Sequence, residues 1–166
     1  MLGLDFSPDG TLLAAADRSG AVVLWEVDGG RIAQVLRGAT GAIQAVAFHR
    51  SGRMLAVAAA DGTLRMFDTT DGKERWQKKA HQGEALALAF GPGNRLASGG
   101  SDGRIQVFDV DGKGIATSDP VGDQIQALAF GDSDDIVIGG DALGRLHRFD
   151  VKAKNVVVSF PFAPLQ

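Results

Sequence analysis

The chain restates itself at a period of about 41 residues, and that period limits its possible folds more than any other feature. "SDGRIQVFDVDGK", from Ser101 to Lys113, repeats with small changes the earlier "ADGTLRMFDTTDGK", from Ala60 to Lys73. Phe6, Phe48, Phe90 and Phe130 are spaced by 42, 42 and 40 residues. A second aromatic, Trp25, Phe67, Phe108 or Phe149, follows each of them after 18 or 19 residues. Gly20, Gly62, Gly103 and Gly144 lie five residues before that second aromatic, and an acid, Glu26, Asp68, Asp109 or Asp150, directly follows it.

Each unit resolves into four short strand patterns separated by turn signals. The first is an apolar run ending on the first Phe: "LGLDF", "IQAVAF", "ALALAF", "IQALAF". After loops such as "SPDG", "HRSG" or "GPGN" comes the second: "TLLAAA", "MLAVAA", "RLASGG", "DIVIGG". These runs are small and apolar without polar alternation, which predicts strands covered on both faces. The glycine turn leads to the third strand, "AVVLWEV", "TLRMFDT", "RIQVFDV", "RLHRFDV". A "DG" turn in three units, and "KAK" in the last, joins the fourth. The fourth strands, "RIAQVL", "ERWQKK", "GIATS" and "NVVVSF", are the most polar and are expected outermost. The 23 glycines fit the number of tight turns this arrangement needs.

A four-stranded antiparallel sheet that is apolar on both faces cannot cover itself and must be sandwiched between copies of itself. Twisted sheets stacked face to face around an axis are the blades of a β-propeller. A β-sandwich is the competing all-β reading, but four copies of four matched positions argue for the propeller. The expected blades span about residues 1–38, 39–80, 81–119 and 120–162.

On these residues the chain resembles the WD40 repeat family over essentially its whole length. "FSPDG" at Phe6 to Gly10, "LASGGSDGRIQVFD" at Leu96 to Asp109, and the aromatic-acid pair closing each third strand carry the likeness. The resemblance implies a hydrogen-bonded tetrad of His, Ser, Asp and Trp bracing a blade. Only the third unit comes close, with His81, Ser98 and Asp102, and there Phe108 replaces the Trp and has no indole N–H to donate. Asp61 holds the turn position in unit two, Asp17 and Asp141 stand two residues early in units one and four, and the matching His positions hold Ala39 and Val121. Apolar packing is expected to replace most of that network.

Met1 aligns with Ile43, Ala85 and Ile125, so the chain is expected to start inside the innermost strand of blade one and to end after the outermost strand of blade four. WD40-like blades are wedge-shaped for rings of about seven or eight, within the known range of four to eight, so four of them are expected to form half a ring. The open flanks would be apolar and need covering, by a second copy making eight blades, by sequence beyond this chain, or by closure on four.

Chemistry-bearing patterns are few. There is no cysteine, hence no disulfide, thiol nucleophile or thiolate metal site. Seventeen Lys and Arg against twenty Asp and Glu are scattered, leaving no basic footprint for nucleic acid or anionic lipid. No run nears the length of a membrane span and no secretory signal opens the chain, so a soluble, cytoplasmic protein is expected. His49 falls in a hairpin loop, His81 at the tetrad position, and His147 at an outward-alternating third-strand position, so no catalytic or metal cluster is expected. "DVDGKG" at Asp109 to Gly114 resembles the opening of a calcium loop, but Lys113 stands at a ligand position and Pro120 in the place of the bidentate Glu. "GPGN" and "GGSDG" precede no helix and read as turns rather than phosphate cradles.

The resemblance implies a docking platform using loops at one mouth of the ring. The matching positions are Arg18, Ala60, Ser101 and Ala142 before the glycine turns, and Ala42, Glu84 and Gln124 leading into the inner strands. Arg18, Glu84, Ser101 and Gln124 are the candidate contacts. Trp76, in the polar outer strand, is the candidate rim anchor, or else packs over its own blade. The absence of tyrosine thins the recognition surface. The expected function is therefore a non-enzymatic protein-interaction scaffold without cofactor or metal, probed against two alternatives: an enzyme-associated or catalytic propeller with a site at the central channel, and a structural or engineered fragment with no ligand.

Overall fold

The computed structural model describes residues 3–160. The expected outer blade limits, residues 1 and 162, lie outside the described residues. Among the described residues, sixteen strands form four separate four-stranded antiparallel sheets, each in sequence order. Blade one is β1 (Gly3–Phe6), β2 (Leu12–Ala16), β3 (Val22–Glu26) and β4 (Arg31–Leu36). Blade two is β5 (Ile43–Phe48), β6 (Met54–Ala59), β7 (Thr63–Asp68) and β8 (Glu74–Lys79). Blade three is β9 (Ala85–Phe90), β10 (Arg95–Gly100), β11 (Ile105–Asp109) and β12 (Gly114–Thr117). Blade four is β13 (Ile125–Phe130), β14 (Ile136–Asp141), β15 (Leu146–Asp150) and β16 (Asn155–Phe160).

Strand register divides each sheet into two faces. On one, here the A face, the two repeat aromatics flank an aliphatic residue: Phe48, Leu55 and Phe67 in blade two, Phe90, Leu96 and Phe108 in blade three, and Phe130, Val137 and Phe149 in blade four. The other, the B face, is built on small residues, with Ala14 and Ala16 beside Leu24 and Val22 in blade one. Each B face packs on the A face of the next blade. Ala14, Val22 and Leu24 join Phe48, Leu55 and Phe67 in one buried cluster. Ala56 and Met66 pack with Leu96 and Phe90, and Ala58 and Leu64 with Phe108. Ala97, Ile105 and Val107 pack with Val137 and Phe149. The small B-face residues set how closely the sheets approach: a Cβ at Gly99 would collide with the Ile125 side chain.

The acid after each second aromatic has a local task. Asp68 accepts from the Thr70 amide (2.8 Å) and pairs with Arg75, and these partners, the amide first, hold its carboxyl down to about 2. Asp109 accepts from the amides of Asp111 (3.1 Å) and Lys113 (2.8 Å), Asp150 from that of Ala153 (2.9 Å), and Glu26 from Arg31 (2.6 Å). The repeated acid thus closes the turn between the third and fourth strands.

At the end opposite the glycine turns, strand ends and loops strap neighbouring blades together. The Phe48 amide donates to Asp5 (2.7 Å), His49 Nε2 meets Asn94 Oδ1 (2.9 Å), and the Gly93 amide donates to Asp134 (3.0 Å). The extensive inner-strand contacts run from β1 to β5, β5 to β9 and β9 to β13, and β1 and β13 share none of that extent. Blades one and four therefore form the two flanks of an open array.

In blades one to three the glycine of the turn lies against the backbone of the connection to the next blade. Gly62 has φ of 75°, and a Cβ there would collide with the backbone carbonyls of Gly83 and His81 in the connection to blade three. Gly10 has a similar φ of 73° with open space around it. Gly10→Ala should cost about 1–2 kcal/mol for its left-handed backbone alone. Gly62→Ala should cost about 2 kcal/mol or more beyond that, because backbone must move. Urea midpoints of the two variants check the difference.

Candidate interaction surface

Three blades build the mouth from one repeated backbone pair. The amide before the glycine turn donates to the carbonyl leading into the inner strand: Ala60 to Ala42 (2.8 Å), Ser101 to Glu84 (2.9 Å) and Ala142 to Gln124 (3.0 Å). In blade three the pair is doubled, because the Glu84 amide also donates to Ser101 Oγ (2.8 Å). Of the four candidate contacts, Glu84 and Ser101 are thus brought together, while Gln124 and Arg18 stand on the loops of other blades. Arg18, Glu84 and Gln124 are exposed and Ser101 is half-buried. The Glu84 carboxylate reaches back to accept from Gln44 Nε2 (2.9 Å) of the neighbouring inner strand.

Beneath the mouth the inner strands share an open depression of about 400 Å³. Its polar side chains are the amides of Gln44 and Gln126, and none of the described residues lining it is titratable. Gln44, Leu86 and Gln126 each fall at a break in register between the first two strands of their blade. The extra residue of a β-bulge turns a side chain out of the pleat. An apolar run such as "IQAVAF" carries no sign of this break.

Behind Ser101 lies a polar array in blade three. His81 Nδ1 donates to Asp102 Oδ1 (2.9 Å) and its Nε2 accepts from the Ser98 hydroxyl (2.9 Å). Asp102 also accepts from the amides of Gln82 (3.0 Å) and Arg104 (3.2 Å). Phe108 is buried and ends the network at Ser98, with Lys78 Nζ 5.5 Å from its ring centre. The connectivity is that of a hydrolytic triad, but Ser98 is 0% exposed and His81 1%, so no substrate carbonyl can reach the hydroxyl. Here the array fastens the blade two to blade three connection onto blade three.

Blade four carries a second array that the repeat pattern did not reveal. His147, expected to point outward, is 1% exposed, and its Nε2 lies 2.8 Å from Asp141 Oδ2. Strand alternation misleads at this position because both faces of the blade can be covered: His147 lies on the A face, against blade three. Asp141 accepts from the amides of Leu143 (3.0 Å) and Arg145 (2.8 Å) and from Arg145 Nε (2.6 Å). Burial alone would raise its carboxyl, but the hydrogen bonds of His147 and Arg145 outweigh burial and hold it well below the usual range. Asp17, also early in sequence, makes the same local turn, accepting from the Ser19 amide (2.8 Å).

Trp76 is half-buried at the seam between blades two and three. Its Nε1 donates to the Val110 carbonyl (2.8 Å) and its ring lies against Gly112. Its indole N–H is spent within the fold. Among the described residues no cluster of three or more His, Asp or Glu could hold a metal ion.

The family model of the anaphase-promoting complex subunit 4 WD40 domain matches residues 4–91, more than half of the chain. The chain belongs to the WD40 repeat family. It is 33% identical over 106 residues to coronin-7 of Rattus norvegicus, covering 58% of this chain and 12% of that protein. Against the WD repeat-containing protein SL1-17 of Schistosoma mansoni it is 20% identical over 159 residues, covering 95% of this chain and 53% of the relative. Against telomerase protein component 1 of Mus musculus it is 25% identical over 138 residues, covering 81% of this chain and 5% of the relative. The chain thus spans from 5% to about half the length of these relatives. WD40 domains typically serve as protein-interaction scaffolds and are generally non-catalytic.

The blade-three array makes stability depend on pH in a defined direction. Burial, opposed by Asp102, lowers the His81 pKa below the ordinary 6.5. An unfolded chain then binds the proton more readily than the folded one, so this contribution is complete above about pH 6.5 and is lost as pH falls below it. The melting temperature should drop between pH 7.5 and 5.5, and His81→Gln should flatten that slope while lowering stability at pH 7.5 by about 1–3 kcal/mol. Melting curves of both proteins across this range check it.

Proposed function

We propose that this WD40 domain is a protein-docking module whose contact surface is the glycine-turn mouth, carried on half of a ring. One observation carries the reading: the doubled Ser101–Glu84 backbone pair, repeated singly at Ala60–Ala42 and Ala142–Gln124, holds exposed loop side chains at fixed positions over a braced blade. Rigid presentation lowers the ordering cost of binding. The open flanks call for further blades, from a second copy or from adjoining sequence. A catalytic channel is disfavoured by a depression lined with amides and apolar residues, and by the sealing of Ser98.

The test is affinity capture with quantitative mass spectrometry, comparing the wild-type chain, an Arg18→Glu/Glu84→Arg double variant, and an Arg53→Glu control on the opposite loops. A protein held by the wild type and control should fall about tenfold or more with the double variant, the loss of about 1.4 kcal/mol or more of contact energy. Equal capture by all three would remove the mouth from the account.

A further inference from the structure

Three A-on-B seams are filled within the chain, and one A face and one B face are left over. The unfilled A face, on blade one, carries Leu4, Phe6, Leu13, Trp25, Ile32 and Val35, which register places on one side of the sheet. Phe6, Leu13 and Trp25 repeat the column of Phe48, Leu55 and Phe67. Yet Phe6 is 56% exposed where Phe48 is 7%, and Ile32 on the outer strand of the same face is 54% exposed. The unfilled B face, on blade four, carries Ala127, Ala129, Ile138, Gly140, Leu146 and Arg148. Leu146 stands where blade two has Leu64, and it is 44% exposed where Leu64 is 0%. Continuous apolar faces of this kind mark an interface.

We propose that a second copy of this chain fills both faces, the blade-four B face of each copy seating on the blade-one A face of the other, so that two open arrays close into one eight-bladed ring. This rests on the half-ring reading above and commits it to one occupant. The argument is continuity: the same seam is already built three times, and the leftover halves keep its register, with Ile138 and Arg148 standing where blade two has Ala56 and Met66. A head-to-tail contact repeated twice about a two-fold axis closes without leaving an edge, and eight blades lie within the range of known rings.

Arg148 gives the seam its identity. It occupies the position of Met66, which packs against Leu96 and Phe90 of the next blade. The corresponding residues of a second copy are Leu13 and Phe6, so the Arg148 guanidinium falls over the exposed Phe6 ring. Lys78 already makes such a contact with Phe108 at 5.5 Å. Two B faces packed together would bury the Arg148 charge of each copy without a Phe6 ring to receive it, so the two flanks prefer each other to themselves.

The experiment is sedimentation velocity on the wild-type chain, on Phe6→Glu, on Leu146→Glu and on an equimolar mixture of the two variants, with circular dichroism to confirm folding. Ala129→Glu, exposed on the same face, replaces Leu146→Glu if the latter fails to fold. The wild type should sediment at twice the chain mass and each variant alone as a monomer. The mixture should recover a dimer, because one of its two seams keeps both natural faces. Dimeric Leu146→Glu beside monomeric Phe6→Glu would mean that A faces pair with each other, and would overturn the proposal. So would a monomeric wild type or a polymer of unlimited length. A monomeric wild type whose mouth still captures a partner sinks the second-copy seam alone, whereas a dimer with no mouth-dependent partner sinks the docking reading alone.

Discussion

Everything in this fold depends on one contact: a column of two aromatics and an aliphatic residue lying against a face of alanine, glycine and mid-sized aliphatic side chains. Phe48, Leu55 and Phe67 sit on Ala14, Val22 and Leu24, and equivalent sets fill the next two seams. Neither face could be left in water without cost, so each blade draws its stability from its neighbours. The large-on-small pairing also sets spacing, since Gly99 has no room for a Cβ beside Ile125. Polar chemistry is consequently pushed to the ends of the strands, where the loops meet.

At those ends the braces differ from blade to blade. Blade three uses His81, Ser98 and Asp102, with the histidine supplied by the connecting loop. Blade four uses Asp141 with His147 and Arg145, the histidine now supplied by the third strand. Blade two relies on Asp61, which accepts from Thr63 (2.9 Å) and from Thr40 (2.7 Å) of the preceding connection. Different side chains meet the same requirement, a negatively charged acceptor that turns the chain and gathers nearby donors. Such interchange is possible because the apolar seams already fix where the sheets lie.

Strand number, order and the polar outer strand were legible from the spacing of Phe6, Phe48, Phe90 and Phe130, because a period that long must be a structural unit. The grouping of His81, Ser98 and Asp102 was implied by the resemblance to the WD40 repeat, and hydrogen bonds join the three. Burial of His147 was not legible, since two-residue alternation says which side of a sheet a residue occupies but not whether another sheet covers it. The bulges at Gln44, Leu86 and Gln126 were hidden for a related reason: an extra residue in an apolar run leaves no compositional trace. Trp76 looked exposed because its strand is polar, but its partner, the Val110 carbonyl, belongs to another blade, and sequence gives no distance between blades. The exposure of the blade-one A face is visible only as a contrast between identical patterns, Phe6 open and Phe48 covered.

If the seam is the foundation and the polar brace an accessory, truncating an aromatic must cost more than removing a brace hydroxyl. The most direct measurement is the change in urea unfolding free energy for Phe67→Ala beside Ser98→Ala, both residues being almost fully buried at 3% and 0% exposure. The account predicts a loss of about 3–5 kcal/mol for Phe67→Ala and about 1–3 kcal/mol for Ser98→Ala. A larger loss for Ser98→Ala than for Phe67→Ala would contradict it, and would place the hydrogen-bonded array, rather than the apolar seams, at the base of the fold.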